Sequence, residues 1–436
     1  MFDTVREAIE NRGGVYAVIG MGYVGLPLAV EAAEAGWTVL GFDISTEKIA
    51  RLKAGDSYIE DISSERLVRL VTSGKLIPTA NADDLAKATI FSICVPTPLG
   101  KRREPDVSFI ESATAIVAKQ AQAGSLVILE STTYPGTTRE IVVPALEQAG
   151  HTVGSSVFVA FSPERVDPGN PRYGIKNTPK VVGGVTPRCT ELAAAFYRTF
   201  VEQVHTVSSP EAAEMAKLLE NIFRAVNIAL VNELMLLSDR MGVNIWEVIE
   251  AAATKPFGYM KFLPGPGLGG HCIPIDPFYL SWKAKQFDFW TEFIELAGRI
   301  SENIPYYVVE KAYRALNREG KCLKGARVLV LGLAYKKDIG DVRHSPALKI
   351  VRLLKDEGCE LRLNDPHVVD HDIETLGLPL VELTEEEVRS ADLVLLVTDH
   401  SAYDYDWIAR HAQAILDTRN AFAHVSPEAR ARITVL

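Results

Sequence analysis

Residues 15–43, VYAVIGMGYVGLPLAVEAAEAGWTVLGFD, decide the fold. The apolar run VYAVIG leads into Gly20-Met21-Gly22-Tyr23-Val24-Gly25, and the helical pattern LPLAVEAAEAG follows. A second apolar run then ends at Asp43. Glycines at this spacing between a strand and a helix allow a tight turn, so that a pyrophosphate can sit at the positive helix N-terminus. An acid about 20 residues on is placed to hold an adenosine ribose, and its charge disfavours a 2′-phosphate. The stretch predicts a Rossmann unit holding NAD rather than NADP; a glycine turn in a nucleotide-free domain is the plainer alternative.

Working outward, further apolar runs occur at 88–95, 125–130, 156–161 and 180–184. Several are too uniformly apolar for a sheet with one wet face, which predicts a parallel sheet covered by helices on both sides. After His205 the pattern changes. Ser208-Ser209-Pro210 opens a helix expected over about 211–241, apolar nearly all round and so expected to be buried between domains or subunits. Helices at about 244–253 and 290–317 follow around a Pro/Gly loop. From Lys324 the strand–helix alternation returns, but after Gly332 come Leu333, Ala334, Tyr335, Lys336 and Lys337 instead of further glycines. The expected fold is α/β: two Rossmann-like domains with parallel sheets, 1–207 and 320–436, joined by a central helical region, 208–319, with the long buried helix.

The chain has 436 residues, 47% hydrophobic and 23% charged, with a formal net charge of -10. That balance excludes a general nucleic-acid or anionic-membrane binder. The most apolar stretch, 222–237, is interrupted by Arg224, Asn227, Asn232 and Glu233, so no membrane span is expected. Five cysteines without a Cys-x-x-Cys pair point to a reducing cytoplasm, and nine histidines without ligand spacing predict no metal.

Several segments carry candidate chemistry. In GPGLGGHCIPIDP (265–277) Cys272 lies on an irregular loop as a candidate nucleophile, with Asp276 placed to orient water or accept a proton. An inert buried thiol is the alternative, and it is the reading for Cys94, Cys189, Cys322 and Cys359. Glu214, Lys217, Asn221 and Arg224 form a polar stripe in which Lys217 and Asn221 could aim donors at one oxyanion; a solvated helix edge is the commoner meaning of such a stripe. ESTTYPG (130–136) and FSPERVDPG (161–169) follow predicted strands, which places Thr132, Glu164 and Arg165 for a substrate or in capped turns. Lys336, Lys337, Arg343 and Arg419 supply local positive charge suited to phosphates.

Together GMGYVGLPLA, CVPTPL, EST, SPERVDPG, the Lys217–Asn221 helix, PGPGLGGHCIPIDP and AYKKDIGDVRHSP resemble the UDP-glucose/GDP-mannose dehydrogenase family, in order over nearly the whole chain. The versions at 162–169 and 264–277 are most similar to the branch acting on UDP-N-acetylhexosamines, particularly UDP-N-acetylglucosamine. The resemblance implies oxidation of the sugar's C6 alcohol to a carboxylate with two NAD+, through a thiohemiacetal and a thioester on Cys272. It implies that Lys217 and Asn221 stabilise the oxyanion, that Asp276 and Thr132 serve proton transfer, and that Glu164 lies near the reacting carbon. NAD contacts are implied for Gly20, Met21, Gly22, Tyr23, Val24, Gly25, Asp43, Lys48, Val95, Thr97, Ser131, Thr132 and Arg343. Substrate contacts are implied for Glu164, Arg165, Lys217, Asn221, Phe262, Gly267, Tyr335, Lys336 and Arg419, with the carboxy-terminal domain holding UDP and the long helix forming a homodimer interface.

Two departures bear on the sugar. Pro168, beside Asp167, stands where the UDP-glucose branch has a second glutamate, and Lys255-Pro256-Phe257-Gly258 stands where that branch has an arginine. UDP-glucose or UDP-N-acetylmannosamine are the alternative substrates, and a non-catalytic sensor of NAD and nucleotide sugar is the alternative from another class.

Overall fold

A computed structural model describes the chain except residues 60, 101–103, 168, 169, 171 and 271. Pro168 therefore lies outside the described residues. The chain forms two compact units, 1–220 with 282–289, and 221–281 with 290–436.

The first unit holds an eight-stranded sheet in the order β3-β2-β1-β4-β5-β6-β7-β8. Its strands are β1 (Val15–Ile19), β2 (Thr38–Phe42), β3 (Leu76–Thr79), β4 (Ile90–Ile93), β5 (Leu126–Leu129), β6 (Phe158–Phe161), β7 (Lys180–Gly184) and β8 (Val204–Val207). Pairing is parallel from β3 to β6, antiparallel between β6 and β7, and parallel again between β7 and β8. The central strands β4, β5 and β6 are buried at every position, as a sheet covered on both faces requires. Alternate residues feed two cores: Tyr16 and Val18 point to one, Ala17 and Ile19 to the other.

The second unit holds a five-stranded parallel sheet in the order β10-β9-β11-β12-β13. Here β9 is Arg327–Leu331, β10 Glu360–Asn364, β11 Leu393–Leu396, β12 Ile415–Asp417 and β13 Ile433–Val435. The helix Pro346–Asp356 starts with Ser345 as its cap, the Ser345 hydroxyl accepting the Ala347 N–H.

The long helix runs Pro210–Met241, close to its expected span, but its apolar surface is only partly covered. Val231 and Met235 pack into the core of the second unit, whereas Leu219 is 64% and Leu237 51% exposed. By length and composition this helix could cross a membrane, although a third of its most apolar window is buried within the chain. A helix that sequence reading left inside the Pro/Gly loop, Asp276–Ala284, begins at Asp276 itself. Among the cysteines, Cys94 and Cys189 are buried as expected, Cys359 is half-buried, and Cys322 is exposed, which corrects the expectation of burial.

Candidate active site

The glycine turn joins β1 to the helix Gly25–Glu34. A Cβ on Gly25 would lie 1.9 Å from the Gly20 carbonyl oxygen, so only glycine lets the helix start this close to the strand. Asp43 follows β2, and its carboxylate accepts the Met21 N–H at 3.0 Å and the Ser45 N–H at 2.9 Å. Each oxygen keeps a lone pair for a ribose hydroxyl. Lys48 stands 3.5 Å away, on the next helix. The Tyr58 hydroxyl donates to the Met21 carbonyl and so braces the turn. Met21 is buried, while Tyr23 is 44% exposed. Glycine cradle, acid and helix start fit a dinucleotide.

Val95, Thr97, Ser131 and Thr132 are brought together beyond the carboxyl ends of β4 and β5. The Ser131 hydroxyl donates to the Val95 carbonyl at 2.8 Å, and the Thr97 hydroxyl to that of Thr132 at 2.6 Å. Beyond β6, one Glu164 oxygen accepts the Arg165 and Val166 N–H groups at 2.6 and 2.7 Å. The other lies 3.4 Å from the buried Lys180 ammonium. Burial pushes the Glu164 carboxyl up, but Lys180, those two amides and the charge of Lys217 outweigh it and hold the group below its usual range. The Arg165 guanidinium is tied to Glu220 at 2.7 Å and to the Pro179 carbonyl at 2.6 Å.

The stripe on the long helix divides. Glu214 is buried and accepts the Gly136 and Thr138 N–H groups at 2.6 and 3.0 Å and the Thr138 hydroxyl at 2.7 Å. A buried donor left unpaired costs about 1–3 kcal/mol, so Glu214 fixes the turn after Thr132, while its own burial pushes its carboxyl up. Arg224 is exposed, which leaves Lys217 and Asn221 one turn apart.

Asn221 belongs to the second unit's constellation. Its side-chain amide donates to the Asp276 carboxylate at 2.6 Å, with both residues buried. The Cys272 carbonyl accepts the Ile275 and Asp276 N–H groups at 3.0 and 2.8 Å. This places Cys272 one turn ahead of the helix Asp276–Ala284, at the end where helix amides favour negative charge. Cys272 as a residue is half-buried.

The loop before Cys272 is shaped by what lies against it. A Cβ on Gly270 would meet the Tyr335 ring at 2.9 Å, and one on Gly265 would meet an Arg419 nitrogen at 2.6 Å. The Gly270 N–H donates to the Arg343 carbonyl, the Gly265 N–H to the Asn232 side chain, and Phe262 packs edge-on against Phe223. Tyr335 and Arg419 thus lie against the two ends of the loop, Gly267 between them faces Pro305 and Pro346, and Lys336 follows Tyr335 in sequence. The Arg343 guanidinium pairs with Asp341 within its own exposed turn.

Three features escaped sequence reading. In the second sheet Asp365, just past β10, accepts five donors: the N–H groups of Leu333, Ala334, His367 and Val368, and the His400 Nε2. Its charge is consumed by its own loop. Asp338, His367 and His400 offer ligand atoms within 4.8 Å of one another, as a metal site would. The His400 Nδ1 already accepts the Asp338 N–H at 2.9 Å, however, and its Nε2 faces Asp365, so that ring has no lone pair to give an ion. The third is a buried Lys180–Glu130–Tyr197 cluster, signalled only by a lysine opening an otherwise apolar strand.

Comparison with known proteins agrees with this arrangement. Residues 15–201 match the NAD-binding domain of the UDP-glucose/GDP-mannose dehydrogenase family, 211–303 its central domain and 329–424 its UDP-binding domain. A UDP-N-acetyl-D-mannosamine dehydrogenase of Pyrococcus horikoshii is 39% identical over 93% of this chain and 95% of its own. A UDP-N-acetyl-D-glucosamine 6-dehydrogenase of Pseudomonas aeruginosa is 39% identical over 82% of this chain and 83% of its own. A solved UDP-D-ManNAc dehydrogenase from Pyrococcus horikoshii superposes with a TM-score of 0.86 at 37% identity, covering 93% of this chain and 96% of the other. The chain belongs to the UDP-glucose/GDP-mannose dehydrogenase family and is an NAD-dependent UDP-sugar dehydrogenase, an oxidoreductase.

Proposed function

We propose that the chain is a UDP-N-acetyl-D-glucosamine 6-dehydrogenase that oxidises the sugar's C6 alcohol to a carboxylate through a covalent intermediate on Cys272. The observation that carries this reading is the Cys272–Asp276 turn, in which a half-buried cysteine precedes a buried carboxylate bonded to Asn221 at 2.6 Å. Bound NAD+ supplies the hydride acceptor for two successive oxidations at C6. Between them the Cys272 sulfur adds to the aldehyde carbon, which holds the sugar as a thiohemiacetal; after the second, the carbon is a thioester. Water then adds to its carbonyl, the carbon–sulfur bond breaks, and carboxylate leaves as the thiol is restored.

The remaining residues follow this chemistry. The Lys217 ammonium and the second amide hydrogen of Asn221 stabilise the oxyanion, and Asp276 and Thr132 relay protons through water. Glu164, held ionised, sits by the reacting carbon as an acceptor. Residues 1–207 hold NAD, through Gly20, Met21, Gly22, Tyr23, Val24, Gly25, Asp43, Lys48, Val95, Thr97, Ser131 and Thr132, joined by Arg343. Residues 208–319 carry the thiol, and 320–436 hold UDP through Tyr335, Lys336 and Arg419. Arg165, Phe262 and Gly267 complete the substrate contacts.

The name of the Pyrococcus relative favours UDP-N-acetylmannosamine as a second reading. A panel of UDP-sugars decides. UDP-N-acetylglucosamine is expected to give two NADH per UDP-uronate and a kcat/KM at least about tenfold above UDP-glucose, a difference of about 1.4 kcal/mol at the transition state. Preference for UDP-N-acetylmannosamine would replace the sugar assignment, and preference for UDP-glucose would remove the acetamido group from it.

Homodimerisation through Pro210–Met241 is part of the proposal, supported by Leu219, Leu230, Leu234 and Leu237, all exposed on a helix of this length. Sedimentation of the protein is expected to show a dimer that Leu230→Glu with Leu237→Glu converts to monomer; unchanged mass would place the interface elsewhere. Five free thiols suit a reducing cytoplasm, where we place the enzyme.

A further inference from the structure

The first unit contains a buried charge cluster that the mechanism above does not use. The Lys180 ammonium, almost wholly enclosed at the start of β7, lies 2.6 Å from a Glu130 oxygen and 3.4 Å from a Glu164 oxygen. Glu130 follows β5 and is fully enclosed; it also accepts the Tyr197 hydroxyl, and the Ser92 hydroxyl at 3.4 Å. Lys180 stands over the Tyr197 ring, 5.2 Å from its centre. One cation therefore serves two carboxylates on neighbouring strands, and only Glu164, on the loop past β6, has any access to solvent.

We propose that Lys180 is a positioning residue that acts through Glu164, fixing one carboxylate oxygen from inside the sheet so that the other group of contacts, the Arg165 and Val166 amides, sets its orientation, with Glu130 as the buried counter-charge. The inference rests on the proposed place of Glu164 beside the reacting carbon. A buried cation unneeded for a neighbour would be costly compared with an apolar side chain, and a single carboxylate, Glu130, would be enough to neutralise it. The second carboxylate within reach is the one on the loop that the chemistry uses.

The ionisation pattern agrees. Burial alone would pull the Lys180 ammonium down, but Glu130 and Glu164 hold it above its ordinary value. Burial pushes Glu130 up against the pull of Lys180 and holds it above the usual carboxylate range. The charged groups facing Glu164 are Lys180 and Lys217, which with the two amides lower it, and Glu130, whose like charge opposes them. Cys94 and Tyr16 also lie in its field, Tyr197 and Cys94 face Lys180, and burial keeps all three protonated. Lys180 is the largest attraction acting on Glu164. Without it the Glu164 carboxyl titrates at higher pH, and its ionised form is lost earlier as pH falls.

The test uses the full-length protein. Lys180→Met alone leaves Glu130 buried without a cation and is expected to fold poorly. Glu130→Gln with Lys180→Met removes both charges and keeps the volume, Glu130→Gln alone is its reference, and Lys180→Arg keeps the cation. The Glu164 carboxyl is followed by ¹³C resonance in glutamate-labelled protein, identified by its absence in Glu164→Gln, alongside the pH profile of kcat. The expected result is a rise of at least about one pH unit in the Glu164 titration in the double variant relative to Glu130→Gln alone, a tenfold gain in proton affinity. The acid limb of kcat is expected to move up with it, and Lys180→Arg is expected to keep both near wild type. A folded double variant whose Glu164 titration matches that of Glu130→Gln alone would overturn the proposal. A wild-type protein that forms no UDP-uronate would instead overturn the proposed function, while the carboxyl titration, which needs no turnover, still decides the role of Lys180.

Discussion

Replacing Cys272 with serine is expected to cut UDP-uronate formation from the alcohol on the order of 10³-fold or more, the scale of loss when a covalent nucleophile is removed. A few per cent of an ordinary thiol is thiolate at neutral pH and reacts readily, whereas a serine hydroxyl needs a base to deprotonate it. The carboxylate one turn on in sequence, Asp276, accepts the Asn221 amide at 2.6 Å, which favours its ionised, weakly basic form. The substitution removes no glycine or acid of the dinucleotide turn, so NAD affinity is expected to stay within about twofold. The measurement is UDP-uronate released per NADH, from the C6 alcohol and, separately, from the C6 aldehyde. Undiminished acid from either substrate would mean that hydrated aldehyde, and not a thioester, is what is oxidised.

Lys217→Ala is expected to lower kcat by about 10²-fold or more, with little change in NAD binding, as when one donor to a developing oxyanion is removed. Two consequences separate this from general damage. Lys217 is one of the charges that keep Glu164 ionised, so its loss raises the Glu164 carboxyl and moves the acid limb of the rate profile upward. Arginine at the same place restores the charge but not the compact ammonium, so Lys217→Arg is expected to recover the profile more fully than the rate. A normal rate for the alanine variant would return Lys217 to the solvated edge of its helix.

The elements legible in the sequence are those with a strong period or a strong punctuation mark. The strand, glycine turn and acid at 15–43 were readable because each needs particular residues, and the helix at Pro210–Met241 because nothing breaks its pattern. Three strands were missed, β3, β8 and β13, and all three are sheet edges. An edge strand is partly wet and needs no long apolar run: β8 has no fully buried residue, and β3 carries a proline. The helix Asp276–Ala284 was hidden by the prolines and glycines before it, which belong to its entry turn.

Site residues follow the same division. Cys272 and Asp276 were visible because they punctuate an unusual loop. The hydrogen bond of Asn221 to Asp276 was not, because it joins positions 55 apart in sequence. Glu214 looked like a member of the polar stripe and is instead a buried acceptor for a distant turn. Lys180 and Asp365 are polar residues whose partners lie on other strands and loops, and pairing of that kind leaves no period to read.

The saturation of Asp365 has a kinetic consequence. The second sheet repeats the first in outline, yet the acid at the tip of its second strand has no capacity left for a ribose, and its first turn lacks the glycines. The described residues of each polypeptide thus offer one such berth for a dinucleotide, while the proposed reaction withdraws two pairs of electrons from one carbon. The protein must then empty and refill that berth in mid-cycle with the half-finished sugar moored to sulfur, so the lifetime of the mooring has to exceed the time of one exchange.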